Sequence, residues 1–202
     1  MILGLPESTK VFNQLPKKQI FERFRVSPKE RKRFDDDIGR LAIVNEISPK
    51  TVNLDKGTKV DSIFFVRIEL KNKEYDRKNL ILISKLINQS MIFILEWEEQ
   101  QKVAVYETEL IESDWHNSED FELKIEGINL DSVWNNFIIG IGGIVLEDDN
   151  TLIEQISLDT EREKLQERID ALDKRVRREM QPKKKRELWD ELKSLRRELE
   201  GL

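Results

Sequence analysis

Residues 158–202 read LDTEREKLQERIDALDKRVRREMQPKKKRELWDELKSLRRELEGL, and two apolar frames run through them. Leu165, Ile169, Leu172 and Val176 recur at spacings of four, three and four, the seam of a coiled coil. After Met180-Gln181-Pro182 the pattern resumes as Leu188, Leu192, Leu195, Leu199 and Leu202. Carrying the first frame forward would put Lys183, Arg186 and Asp190 on the seam, so the two frames do not match, and a proline stands where they break. Proline inside a helix removes a hydrogen bond and clashes with the preceding turn. The stretch therefore reads as two antiparallel helices of about 20 residues each, roughly 30 Å long, joined by a turn. Thr160 and Glu163 have the spacing of a capping box that would open the first helix.

Charge is distributed unevenly about this hairpin. The chain carries a net charge of −5, yet residues 158–202 hold 14 Lys+Arg against 12 Asp+Glu, which leaves the rest of the chain at −7 and the hairpin at +2. The positive excess gathers at the tip: Lys174, Arg175, Arg177, Arg178, Lys183, Lys184, Lys185 and Arg186, with Glu179 alone against them. Cations ending the first helix favour its dipole. Four at the start of the second oppose it, at about 0.3–1 kcal/mol each where screening is poor. A cluster that costs stability points to something that neutralises it. Three readings fit: a phosphate backbone, an acidic protein surface, or solvent alone, since helix ends are often Lys/Arg-rich for solubility.

Upstream, the segments alternate between helix and strand patterns. Residues 17–24 place Ile20, Phe21 and Phe24 at helical spacing. Ser27-Pro28-Lys29-Glu30 is a helix start, with a capping serine, a first-turn proline and a carboxylate at the capping-box position. The helix that follows is expected to present Phe34, Ile38 and Leu41 on one face, with a strand over 41–47 stopped by Ser48-Pro49. Asp55-Lys56-Gly57 signals a turn, and 60–70 is the clearest strand, with Phe64, Val66, Ile68 and Leu70 on one face and Asp61, Arg67 and Glu69 on the other. Asp76 is placed to cap a helix carrying Leu80, Ile83 and Ile87, and 91–97 with 103–106 reads as a central hairpin. Residues 121–125 alternate as a further strand. Asn129-Leu130-Asp131 opens a helix through Val133, Phe137 and Ile141, which Gly142-Gly143 ends. The expected fold is α+β, a mixed or mostly antiparallel sheet with packed helices over 1–150, followed by a helical hairpin over 151–202. The acidic run Glu147-Asp148-Asp149-Asn150 marks the boundary.

A length of 202 residues supports one ordinary domain plus an appendage. Hydrophobic content of 38% and charged content of 37% depart from typical values of about 45–50% and 25%, an excess of charge that long surface helices can carry. No cysteine is present, which excludes disulfides, thiolate metal sites and cysteine nucleophiles. A single histidine, His116, excludes multi-histidine metal sites, and its polar surroundings between Asp114 and Asp120 suggest an exposed loop. No apolar run approaches the roughly 20 residues of a membrane span and no signal pattern opens the chain, so a cytoplasmic protein without cofactor is expected.

Two acidic motifs carry alternative chemistry. Asp35-Asp36-Asp37 contains three carboxylates, but on a helix consecutive residues point in different directions, and the basic run Lys29, Arg31, Lys32 and Arg33 just upstream favours surface ion pairing. Glu69-Leu70-Lys71, preceded by Asp55 or Asp61, resembles the restriction-nuclease pattern of an acid followed by Glu-x-Lys, in which two carboxylates hold Mg²⁺ and the lysine orients water. Asp61, Glu69 and Lys71 are its candidate catalytic residues. Gly140-Ile141-Gly142-Gly143 closes a helix instead of opening one and is no phosphate loop.

Leu15-Pro16-Lys17-Lys18, the run from Asn45 to Leu54 (NEISPKTVNL), the strand at 91–97 and the run from Arg178 to Lys185 (REMQPKKK) resemble, along essentially the whole chain, the bacterial family known as domain of unknown function 4391. The resemblance implies a neighbourhood of helicases and DNA methyltransferases in restriction-like or phage-defence loci, and no catalytic residues come with it. The expected role is a non-catalytic accessory subunit that binds DNA, or a helicase or methyltransferase partner, through the basic tip. A Mg²⁺-dependent nuclease and a coiled-coil module that pairs subunits into a homo-oligomer are the alternatives.

Overall fold

The computed structural model describes residues 3–24, 26–147 and 150–202. The chain divides into two compact units, Met1–Val145 and Leu146–Leu202. Within the acidic run expected as a boundary, Asp148 and Asp149 lie outside the described residues.

The first unit opens with a short 3-10 turn, Glu7–Thr9, and strand β1, Lys10–Gln14. Helices α1, Lys17–Phe24, and α2, Pro28–Asp37, follow. The start of α2 is the expected capping box: the Glu30 N–H donates to Ser27 Oγ, the Glu30 carboxylate accepts the Ser27 N–H at 3.1 Å, and Pro28 occupies the first turn. The helix stops at Asp37, earlier than its apolar pattern suggests. Ile38 and Leu41, expected on its face, belong instead to β2, Ile38–Ile47. Both are almost fully buried, and Ile38 pairs with Leu70 across the sheet, so strand pairing overrides a helical spacing that Phe34 alone fulfils.

Strand β3 spans Ile63–Leu70, three residues shorter at its start than the sequence pattern, because the Gly57 N–H donates to the Val60 carbonyl at 2.8 Å and closes a turn there. Helix α3, Lys78–Ile87, begins with Asp76 Oδ1 accepting the Lys78 N–H at 2.9 Å and ends at Asn88, which takes the left-handed conformation at φ 50°. Then come β4, Ser90–Trp97, β5, Gln100–Tyr106, β6, Leu110–Glu112, β7, His116–Asn117, and helix α4, Leu130–Gly142. Asn129 and Ser132 cap α4 reciprocally and left-handed Gly143, at φ 59°, ends it.

The strands form one sheet in the order β1-β2-β3-β4-β5-β6, with β7 also on β5. Every pairing is antiparallel except β3 with β4. A parallel pair cannot be joined by a tight turn, and α3 supplies its crossover. The fold is thus α+β around a mixed sheet. Val66, Ile68, Phe93, Leu95 and Ala104 form one core with Phe21 of α1, Phe34 of α2 and Leu80 and Ile83 of α3. On the opposite face Phe65 meets Phe137 of α4 edge-on, with ring centroids 5.8 Å apart. Burial from both sides explains why β3 and β4 read as near-continuous apolar runs.

Two further expectations in this unit are corrected. Residues 121–125 form no strand; the Leu123 N–H donates to the Leu3 carbonyl at 3.0 Å and Leu123 is buried, but β6 and β7 already occupy that side of β5. His116 lies on β7 and not in a loop, half-buried, with its ring stacked on Phe121 at 4.8 Å.

The second unit is a helical hairpin. Helix α5, Leu152–Arg178, has 27 residues and α6, Pro182–Glu200, has 19. The capping box of α5 is Thr151 with Glu154, not Thr160 with Glu163. Both pairs fit the pattern, but nothing between 152 and 160 breaks a helix, so the upstream pair wins. Leu165, Ile169, Leu172 and Val176 pack against Leu188, Leu192 and Leu195, with Leu199 and Leu202 alongside. Among the described residues, no helix is long and apolar enough to cross a membrane.

Candidate functional site: the basic hairpin tip

The turn between the helices consists of Glu179, Met180 and Gln181. Glu179 and Gln181 have extended backbones, and Glu179 Oε1 accepts the Gln181 N–H at 2.9 Å, which ties the turn together. That N–H, assisted by Lys184, holds the Glu179 carboxyl below the usual carboxylate range despite the opposing effect of desolvation. Pro182 sits at the first helical position, where its missing N–H costs nothing. Gln181, the residue preceding it, makes no side-chain cap, and the first turn of α6 contains no acid.

All eight predicted cations are exposed. Arg177 pairs with Asp173 at 2.7 Å and Lys184 with Glu179 at 3.6 Å. Among the described residues, no carboxylate lies within ion-pair distance of Lys174, Arg175, Arg178, Lys183, Lys185 or Arg186. Arg175 and Arg178 from α5, Glu179 of the turn, and Lys184 and Leu188 from α6 line one recess of about 200 Å³, so three cations share it with one carboxylate. The fold thus brings together cations six to nine positions apart in sequence, because the matched seams below the turn force the two helix ends side by side. Met180, in the turn between them in sequence, has 89% of its surface exposed.

The other candidates are distributed differently. Asp61 lies before β3 and pairs with Lys56 at 3.8 Å, whereas Glu69 lies near the strand's far end and pairs with Arg40 at 3.8 Å. The strand from Ile63 to Glu69 alone spans roughly 20 Å, so the fold does not bring these two carboxylates together. Lys71 donates through Nζ to the Asp35 carbonyl. The neighbour of Glu69 is instead Glu96, opposite it in the parallel register, with Arg67 Nε 3.1 Å from Glu96 Oε1. Burial pushes the Glu96 carboxyl up, Arg67 opposes this and Glu69 adds to it.

Asp35 pairs with Lys17 at 2.7 Å, while Asp37 Oδ2 accepts the Asp76 N–H and the Asn79 amide at 2.8 and 2.7 Å. Arg31 donates to the Val26 and Phe21 carbonyls, and Arg33 to Asn79. These groups tie the helices of the first unit together. Among the described residues, no cluster of three or more His, Asp or Glu side chains is placed to hold a metal ion.

The sequence reading missed a cleft of about 370 Å³ in the first unit, walled by Leu15, Ile20, Phe24, Ile43, Phe64 and Met91. Its walls come from α1, β2, β3 and β4, and no local pattern in any one of them signals a shared cavity. It also passed over Met180, treating it only as part of a break; an apolar residue alone inside a basic run was the available signal.

The family model of domain of unknown function DUF4391 matches residues 3–199, and the chain belongs to that family. Comparison with curated proteins and with solved structures finds no match.

Proposed function

We propose that this member of the family binds the phosphate backbone of DNA through its hairpin tip, as a non-catalytic accessory subunit alongside a helicase or DNA methyltransferase in a restriction-like or antiviral defence complex of the cytoplasm. The observation that carries the reading is a set of eight exposed cations around a three-residue turn, six without an ion-pair partner among the described residues, with three converging on one recess from both helices. Four of the cations oppose the dipole of α6, an unfavourable placement in the free protein that a bound polyanion would reverse. The remainder of the chain, at −7, repels phosphate and would confine contact to the tip. Few contacts of this kind give modest, salt-sensitive affinity.

The test is fluorescence anisotropy of a short labelled duplex with full-length protein. Affinity should fall with salt at a log–log slope of about −3 to −4, as expected for four phosphate contacts. Reversing the charge at Lys183, Lys184, Lys185 and Arg186 together should abolish it. Unchanged binding by that variant would sink the reading.

A further inference from the structure

Met180 is the one apolar residue in the turn, and its position is built, not incidental. Extended backbone at Glu179 and Gln181, the Glu179–Gln181 hydrogen bond and Pro182 together hold it at the apex, away from the seam that buries Val176 and Leu188. Its side chain is 89% exposed, and exposed cations flank it along the chain on both sides, Arg177 and Arg178 ending α5 and Lys183, Lys184, Lys185 and Arg186 opening α6. A surface that matches this pattern is negative at its rim and apolar within. Duplex DNA has that arrangement, with phosphates outside and stacked bases inside. Two packed helices, with axes about 8–10 Å apart, are too broad to enter a minor groove about 6 Å wide. One unbranched thioether side chain is narrow and flexible enough to enter it.

We propose that Met180 is an apolar wedge that enters the minor groove between base pairs while the surrounding cations hold the flanking phosphates. The inference rests on the phosphate-binding reading above and deepens it. Wedging costs a few kcal/mol of stacking, and that cost falls where the step is already weak, as at a mismatch or a flexible pyrimidine–purine step. The hairpin should therefore discriminate among duplexes by deformability, with no contact that reads a particular base.

The experiment compares full-length wild type, Met180→Ala and Met180→Leu on a matched duplex and on one with a central mismatch, each carrying 2-aminopurine beside the central step. Wild type should bind the mismatched duplex about tenfold more tightly and brighten the 2-aminopurine as it unstacks. Met180→Ala should keep matched-duplex affinity within about twofold and keep the salt slope, since no cation is lost, but lose the preference and the brightening. Met180→Leu should restore both, because it keeps an apolar side chain of similar reach. An alanine variant that retains the preference overturns the wedge, as does wild-type binding with no preference and no brightening; the phosphate reading survives either result. Absence of any duplex binding by wild type overturns both. If Met180→Ala leaves DNA behaviour untouched and releases a bound protein partner instead, the side chain belongs to a protein interface and the wedge is wrong.

Discussion

Asp131 shows how one side chain organises a loop that local pattern does not describe. Its carboxylate accepts the N–H groups of Thr58, Lys59 and Val60 at 2.7, 3.1 and 2.9 Å, tying the 57–60 turn to the start of α4. Desolvation raises its pKa, but the N–H groups of Thr58, Val60 and Lys59 outweigh it and hold the carboxyl below its usual value. A carboxyl depressed in the folded state contributes stability above its unfolded pKa and loses it as pH falls through the folded value. Asp131→Ala should lower the melting midpoint by about 2–4 °C at neutral pH, the shift that about 1 kcal/mol gives in a chain of this size. The deficit should vanish in strong acid. Gly57 is coupled to the same contact, since a Cβ there would lie 2.0 Å from Asp131 Oδ1. Gly57→Ala should lower stability as well, and because its Cβ would also lie 2.7 Å from the Asp131 backbone nitrogen, the double variant should melt below Asp131→Ala but above the sum of the two losses, as thermal denaturation would report. The sequence marked Asp55-Lys56-Gly57 as a turn and Asp131 as part of a helix start. Their pairing across more than seventy residues had no local trace.

At the scale of elements, the hairpin seams were legible because each is a run of apolar residues at coiled-coil spacing whose partner lies just beyond one proline. Leu192 is 1% exposed in the middle of that interface. Leu192→Ala should cost about 2–5 kcal/mol and melt the hairpin at a lower temperature than the sheet, seen as a separate early loss of far-ultraviolet helix signal. A single transition unchanged from wild type would mean the seam is not what holds the helices together. Element ends were less legible. Thr151 and Thr160 both precede a glutamate by three residues, and only the uninterrupted helix between them selects the first. Ile38 and Leu41 fit the helical face of Phe34 equally well as they fit a strand, and the partner strand decides. Residues 121–125 alternate as a strand should, yet burial of Leu123 beside Leu3 produces the same alternation without a ladder.

For the whole molecule, what matters is how charge and apolar surface are shared between two units. The seam residues of the hairpin pack against one another within a single chain. Light scattering should give the same number of chains per particle for the full-length protein and for a chain ending at Val145; a drop on truncation would favour the oligomerisation reading. The tip's charge was legible, because eight cations against one acid is visible in composition alone. Whether those cations were already neutralised was not, since Asp173 and Glu179 are equally near in sequence to several of them and only side-chain geometry shows that they engage Arg177 and Lys184. The nuclease pattern was legible in the same way and fared differently. Asp61 and Glu69 share the stretch read as one strand, but an extended backbone carries them apart, and the parallel register sets Glu96 beside Glu69 instead.

The sequence by itself determined the elements whose signals are local: the capped start of α2, the core strands read at 60–70 and 91–97, the glycine end of α4, and two helical seams broken by a proline with a basic tip between them. The tertiary structure alone decided the order of strands, the parallel pairing of β3 with β4, the separation of Asp61 from Glu69, the convergence of Arg175, Arg178 and Lys184 on one recess, and the exposure of Met180. The reason is physical. Caps, periodicity and turns act between residues a few positions apart, whereas register, ion pairing and convergence depend on which distant surfaces meet when both faces of the sheet and the seam of the hairpin are buried.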